Sequence, residues 1–187
     1  MMNVYDFDKT ITDQDSSFLF VRHILKKYPR VILLNAFGIV SEAVYYLKTK
    51  DPSNMKEQIF KFVRFLPNIE EIVESFWDEN WNHIQKWYLD AKKDDDLIIS
   101  ASPDFLVRPA AERLGVSLIA TPMSPLSGSI QGINCKGSEK VRRFNQEYPE
   151  QHIENFYSDS LSDSPMARKA ERAWLVNCGN LSLWPDE

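Results

Sequence analysis

A chain of 187 residues, 43% hydrophobic and 26% charged, has the make-up of an ordinary globular protein and is long enough to bury a sizeable core. Its net charge of −5 argues against a general nucleic-acid binder, and its two cysteines, Cys135 and Cys178, form neither a metal-type pair nor a disulfide ladder. The opening residues, "MMNVYDFD", run into an apolar strand rather than a targeting segment, so a reducing cytoplasm is the expected compartment.

The first predicted strand is "NVYDF", 3–7, which closes on Asp6 and Asp8, one residue apart. Two adjacent acids repel, and burial worsens the repulsion. They are either a solvated turn or the two sides of something positive. The stretch 15–91 then shows no convincing strand. Helices are predicted over 16–28, 31–50, 53–66 and 68–93, punctuated by Pro29, Pro52 and Pro67. A crossover between parallel strands needs only about a dozen residues, so four helices imply an inserted helical subdomain. From Ser16 to Lys50 six basic residues face one acid, Glu42, and the remainder of the chain sums to −10. Inside that basic segment the apolar run 31–47 is at the lower limit for a membrane span and carries Asn35, Ser41 and Glu42. A buried or partner-facing helix is the expectation, with a weak membrane-surface contact through 22–50 as the alternative. Trp77, Trp81 and Trp87 are expected to pack among the helices.

Strands and helices then alternate, which argues for a parallel α/β sheet. Strands are predicted at 96–100, 116–120, 154–158 and 173–177, and helices at 103–115, 138–148 and 164–172. Gly115 is a plausible helix stop, while Ser102, Ser138 and Asp163 are plausible caps. The acids Asp94, Asp95 and Asp96 read as a solvated turn, and 123–137 is turn-rich enough for a small hairpin. His23, His83 and His152 are scattered, without ligand spacing.

Three predicted strands end in polar clusters: Asp6, Asp8 and Thr10; Ser100 and Ser102; Asp159 and Asp163. In open α/β sheets the ligand crevice lies at the carboxyl ends of the strands, so the clusters are expected to meet there. Four carboxylates in one crevice make a hard-oxygen cage for a divalent cation, with Mg²⁺ the natural candidate. Hydroxyls and strand-end amides suit anionic oxygens, and Lys140, or else Lys136, supplies a fixed positive charge.

These motifs resemble, in order, those of the haloacid dehalogenase-like (HAD) hydrolases. "DFDKT" is similar to the Asp-x-Asp-x-Thr motif, "LIISAS" to the strand ending in Ser or Thr, Lys140 to the motif lysine, and "SDSLSD" to the acidic motif with acids four apart. The nearest likeness is to phosphoserine-phosphatase-like members with a helical C1 cap. The resemblance implies a Rossmann-like core over 1–14 and 92–187, with the cap over 15–91. It implies a phosphatase, with Asp6 as nucleophile, Asp8 as general acid and base, and Ser100 and Lys140 holding the transferred phosphoryl group. Mg²⁺ would be held by Asp6, by the Asp8 carbonyl and by Asp159, with Asp163 behind them. Thr10, Ala101 and Ser102 are the implied phosphate contacts. A dehalogenase would not keep the second acid, Asp8. Where phosphoserine phosphatases carry a glutamate nine positions after the nucleophile, this chain has Asp15. Arg64 is the candidate for a carboxylate clamp. Phosphoserine itself is therefore expected to be a poor substrate, and another small phosphorylated metabolite a better one. The rivals are a lipid-phosphate phosphatase of the phosphatidylglycerophosphatase kind, a receiver-like module phosphorylated on aspartate, and a non-catalytic binding protein.

Overall fold

The computed structural model describes residues 2–31, 40 and 55–185. Strands β1 (Met2–Tyr5), β2 (Leu97–Pro103), β3 (Ser117–Thr121), β4 (Ile153–Ser158), β5 (Ala170–Asn177) and β6 (Asn180–Leu183) form one sheet in the order β3-β2-β1-β4-β5-β6. The first five run parallel, and β6 returns antiparallel to β5. The helices are α1 (Ser16–Lys27), α2 (Met55–Phe60), α3 (Ile69–Asn80), α4 (Lys86–Ala91), α5 (Asp104–Leu114), α6 (Ser138–Glu147) and α7 (Ser164–Ala167). The mostly parallel α/β architecture is the one the alternating pattern implied.

Side chains alternate across the sheet, so its central strands feed two cores. Val4, Leu97, Ile99 and Phe156 pack with Phe144 of α6 and Met166 of α7 on one face. Tyr5 and Ile98 point the other way, into a larger cluster with Phe20 of α1, Phe60 of α2, Phe76 and Trp77 of α3, Tyr88 of α4 and Leu106 of α5. The helices between β1 and β2 thus share one continuous core with the sheet. Phe20 sits at its centre, with the rings of Phe60, Phe62, Phe76 and Phe105 within 6.4 Å. Trp77 is fully buried and donates from Nε1 to the Leu106 carbonyl at 2.7 Å.

Several expectations need correction. The helix expected over 68–93 is broken: a 3₁₀ turn at Trp81–His83 separates α3 from α4. There the chain pairs with the segment after β1, through an antiparallel bridge between Thr12 and Ile84 and a bond from Gln85 N to the Ile11 carbonyl. The 53–66 helix resolves into α2 followed by a 3₁₀ helix at Lys61–Phe65. Helix α7 is only four residues long, because Ala170 and Arg172 are drawn into pairing with β4. Strand β6 was not foreseen. Gly137, not Ser138, precedes α6 as its cap. Asp96 is fully buried rather than solvated, accepting from Asn3 Nδ2 at 3.2 Å and from Lys93 N at 2.9 Å. The expected hairpin in 123–137 reduces to a single bridge between Met123 and Ile130. The 31–50 helix falls almost entirely outside the described residues. No described helix is long and apolar enough to cross a membrane.

Candidate active site

The carboxyl ends of β1, β2 and β4 and the first turn of α6 open onto one cavity of about 400 Å³. Asp6, Asp8, Asp15, Ala101, Ser102, Asp159, Asp163, Lys136 and Lys140 all line it.

Asp6 follows the last residue of β1, and its N–H still donates across the sheet to the Tyr157 carbonyl at 2.8 Å. Its carboxylate therefore leaves a rigid strand end. Lys140 reaches it from α6: Nζ is 2.6 Å from Asp6 Oδ1 and 2.6 Å from Asp163 Oδ2. Asp163 Oδ2 also accepts from Ser158 Oγ at 2.9 Å. Lys140 and Asp163 are nearly fully buried, at 1% and 2% exposure. Burial alone would lower the lysine pKa, but Asp6 and Asp163 outweigh it, and the ammonium is held charged. One ammonium between two acids leaves a net negative charge out of water. Burial accordingly pushes the Asp6 pKa up to about 7 against the attraction of Lys140, with Asp163 and Asp8 adding to the rise.

Asp8 has a separate set of partners. After Phe7 the chain folds back sharply, with the Phe7 carbonyl accepting from the N–H groups of Thr10, Ile11 and Thr12. Lys9 takes a left-handed conformation, φ 56°, at this bend. Gln85 clamps the bend from outside, donating from Nε2 to the Thr10 carbonyl at 2.9 Å and to the Thr12 carbonyl at 3.0 Å. The Asp8 carboxylate so positioned accepts from Ser16 N at 2.7 Å and from Ser102 Oγ at 2.5 Å. Its pKa is raised by burial and by Asp15, partly offset by those two serines. Burial also raises Asp159.

The two serines of β2 divide their work differently from the expectation. Ser100 is fully buried, and its Oγ accepts from Ser102 N at 3.0 Å. Ser102 faces the cavity and bonds Asp8 instead of capping α5, whose cap position is Pro103. Asp163 occupies the cap position of α7 but makes no capping bond, because its carboxylate is spent on Lys140 and Ser158. Asp15 lines the cavity and caps α1, accepting from Phe18 N at 2.8 Å. Thr10 is buried behind the bend, its Oγ1 without a partner among the described residues, and does not line the cavity. Arg64 is exposed, with its guanidinium 4.7 Å over the Phe65 ring, and it too is absent from the cavity. Lys56 of α2, by contrast, enters the cavity. It is lowered in pKa by burial and donates to the Ala101 carbonyl, which also accepts from Thr121 Oγ1 at 2.7 Å. Lys9, Ser17, Asn134, Ser160 and Ser162 complete the lining. Nothing in the pattern of "SNMKEQIF" marks Lys56 as inward.

The expected cage of four carboxylates is not what forms. Among the described residues no three His, Cys, Asp or Glu side chains converge as a ready-made metal cage. The side chains of Asp8 and Asp163 are occupied by serines and by Lys140. What remains suits Mg²⁺: the ion accepts one or two carboxylates and keeps its waters for a substrate phosphate. Asp6 and Asp159 both line the cavity, and burial raises the pKa of each, so the two carboxylates are a donor set that a divalent cation relieves.

Fold and cavity together define a Rossmann-like α/β protein with an acid–lysine site at the carboxyl edge of its sheet. The sequence model of the haloacid dehalogenase-like hydrolases matches residues 4–168, and the chain belongs to that family. Protein CicA of Caulobacter vibrioides is 25% identical over 194 residues, spanning 91% of this chain and 83% of its own. A protein of unknown function from Bordetella pertussis Tohama I shares the fold at a TM-score of 0.73 and 19% identity, over 92% of this chain and 87% of its own. A phosphoserine phosphohydrolase-like protein from Francisella tularensis SCHU S4 matches at 0.54 and 17%, over 92% and 86%.

Proposed function

We propose that this hydrolase is a Mg²⁺-dependent phosphomonoesterase working through an aspartyl-phosphate on Asp6. The observation that carries the reading is the division of labour between the two acids of "DFD". Asp6 is fixed by Lys140 and aimed into the cavity, whereas Asp8 is held apart by Ser102 and Ser16. Asp6 attacks phosphorus, and the bond to the ester oxygen breaks. Asp8, its pKa raised by burial, is a proton donor to the departing alkoxide; once deprotonated, it takes a proton from the water that hydrolyses the acyl phosphate. Lys140 and the strand-end groups at Ala101 and Ser102 face the charge that spreads over the phosphoryl oxygens. Ser100 supports this strand end from beneath, through its bond to Ser102 N. Mg²⁺, held by the Asp6 and Asp159 carboxylates and the Asp8 carbonyl, would cancel the repulsion between nucleophile and phosphate.

The substrate class is a phosphorylated small molecule. Asp15 is engaged in capping α1, and Arg64 lies outside the cavity, which supports the expectation that phosphoserine is a poor substrate. Lys56 is the cation that meets the substrate body from the cap side. The test is phosphate release from an aryl phosphate and from a panel of sugar, amino-acid, nucleotide and lipid phosphates. Activity is expected to vanish on chelation and return with Mg²⁺. Asp6→Asn should lower it by roughly 10³-fold or more. Full Mg²⁺-dependent activity in Asp6→Asn would end the proposal.

A further inference from the structure

The rim of the cavity differs in character from its floor. Phe18, Ile133 and Leu161 are 62%, 60% and 55% exposed. Each is the chain neighbour of a lining residue: Phe18 of Ser17, Ile133 of Asn134, and Leu161 of both Ser160 and Ser162. They come from the segments that follow β1, β3 and β4, and because these strands run parallel all three lie beyond the same edge of the sheet. Exposed large apolar side chains next to a polar mouth are the feature from which a contact surface is built.

The outer face of α1 continues that rim. Leu19, Phe20, His23 and Ile24 are its buried stripe. Phe18, Arg22, Leu25 and Lys26 are exposed and lie at i, i+4, i+7 and i+8, so they share the opposite face. Between Ser16 and Val31 the chain carries Arg22, Lys26, Lys27 and Arg30 and no acid, although its net charge is −5. Lys27 is paired at the surface with Glu79 at 2.5 Å, while Arg22, Lys26 and Arg30 are also exposed. A helix with basic and apolar side chains on its free face is the arrangement that lies in the headgroup layer of an anionic bilayer. A symmetric pairing of two copies through this face would set the same cations against one another.

We propose that the outer face of α1 and the apolar rim of the cavity form one docking surface for an anionic lipid bilayer. The cavity mouth then faces the headgroup layer, and membrane-borne phosphate monoesters become accessible to Asp6. Only this last clause rests on the phosphatase reading; the docking itself does not.

The test is co-sedimentation of the full chain with vesicles of phosphatidylcholine, with and without phosphatidylglycerol, at low and high salt. Binding is expected only to the phosphatidylglycerol vesicles, and high salt should weaken it. Arg22→Glu with Lys26→Glu should reduce it by about tenfold, and Phe18→Ser with Leu161→Ser should also reduce it, while hydrolysis of a soluble aryl phosphate stays unchanged in both. Equal binding to both vesicle types, no binding at low salt, or double variants that bind like the parent would overturn the proposal. So would a concentration-dependent dimer that either double variant abolishes, since the face would then serve a second copy. Vesicle binding as described, without any phosphatase activity, would leave the docking surface standing and remove the catalytic reading.

Discussion

Asp6 and Asp163 share a single, almost fully buried ammonium, and this sharing governs what each substitution does. Removing Lys140 strands two buried carboxylates, whereas removing one acid leaves the ammonium a partner. Lys140→Met is therefore expected to destabilise the fold by about 3–5 kcal/mol as well as to abolish activity, the loss typical of breaking a buried ion pair. Asp6→Asn should abolish activity with a much smaller shift in the urea midpoint. Equal midpoints for Lys140→Met and the parent would mean that the ammonium does not hold the two acids as described. At this scale the sequence was most informative where chemistry is local. Asp6, Asp8, Lys140, Asp159 and Asp163 sit at strand ends and a helix start, so alternation of elements was enough to bring them together. It was least informative where a distant partner decides. Lys56 turns inward because of the Ala101 carbonyl, and Gln85 is a clamp because the bend at Thr10–Thr12 packs against it. Arg64 turns outward onto Phe65. No spacing rule encodes these tertiary choices.

Among the elements, two glycines separate conformational strain from close approach. Gly115 ends α5 at φ 71°, with open space where a Cβ would stand. Gly115→Ala should cost only the left-handed penalty, about 1–2 kcal/mol. Gly128, at φ 75°, has the Phe60 carbonyl against it, where the 123–131 turn meets the end of α2. Gly128→Ala adds a clash with backbone that cannot step aside, so its loss should clearly exceed that of Gly115→Ala in chemical denaturation. Helix α1 carries a pH dependence of its own. His23 is buried against Phe76, with Nδ1 3.5 Å from Glu79 Oε2, and burial lowers its pKa below the ordinary 6.5, with Lys27 adding to the effect. The folded chain thus holds the neutral imidazole more strongly than the unfolded chain does. This stability is complete above pH 6.5 and is lost as the pH falls below it toward the folded value. His23→Gln should flatten that part of the stability profile; an unchanged difference between pH 7.5 and pH 5 would contradict it. Element boundaries failed in the sequence wherever pairing overrode propensity. The 68–93 helix breaks because Ile84 bridges Thr12, and α7 is cut short because β5 begins at Ala170. Strand β6 depends on a tight local turn: Cys178 and Gly179, both at positive φ, make the two-residue connection that sends the chain back along β5.

At the scale of the molecule, the parallel sheet supplies a rigid edge and the helices between β1 and β2 supply the wall facing it. Both belong to one core, so the depth of the cavity depends on packing around Phe20 as much as on the strands. The parallel order was legible because buried strands read as short apolar runs separated by helices. The continuity between insert and sheet was not, because a helical pattern states which face is apolar and not what covers it. The central claim, a covalent phosphate on Asp6 cleared with the help of Asp8, is tested most directly by mixing Asp8→Asn protein with an aryl phosphate and measuring intact mass. An aryl oxide needs no proton to depart, so Asp6 should still be phosphorylated, while hydrolysis lacks its base. A single phosphate should therefore accumulate on the peptide containing Asp6, labile to hydroxylamine and absent from Asp6→Asn. Turnover by Asp8→Asn without any bound phosphate, or a phosphate carried by another residue, would contradict the account.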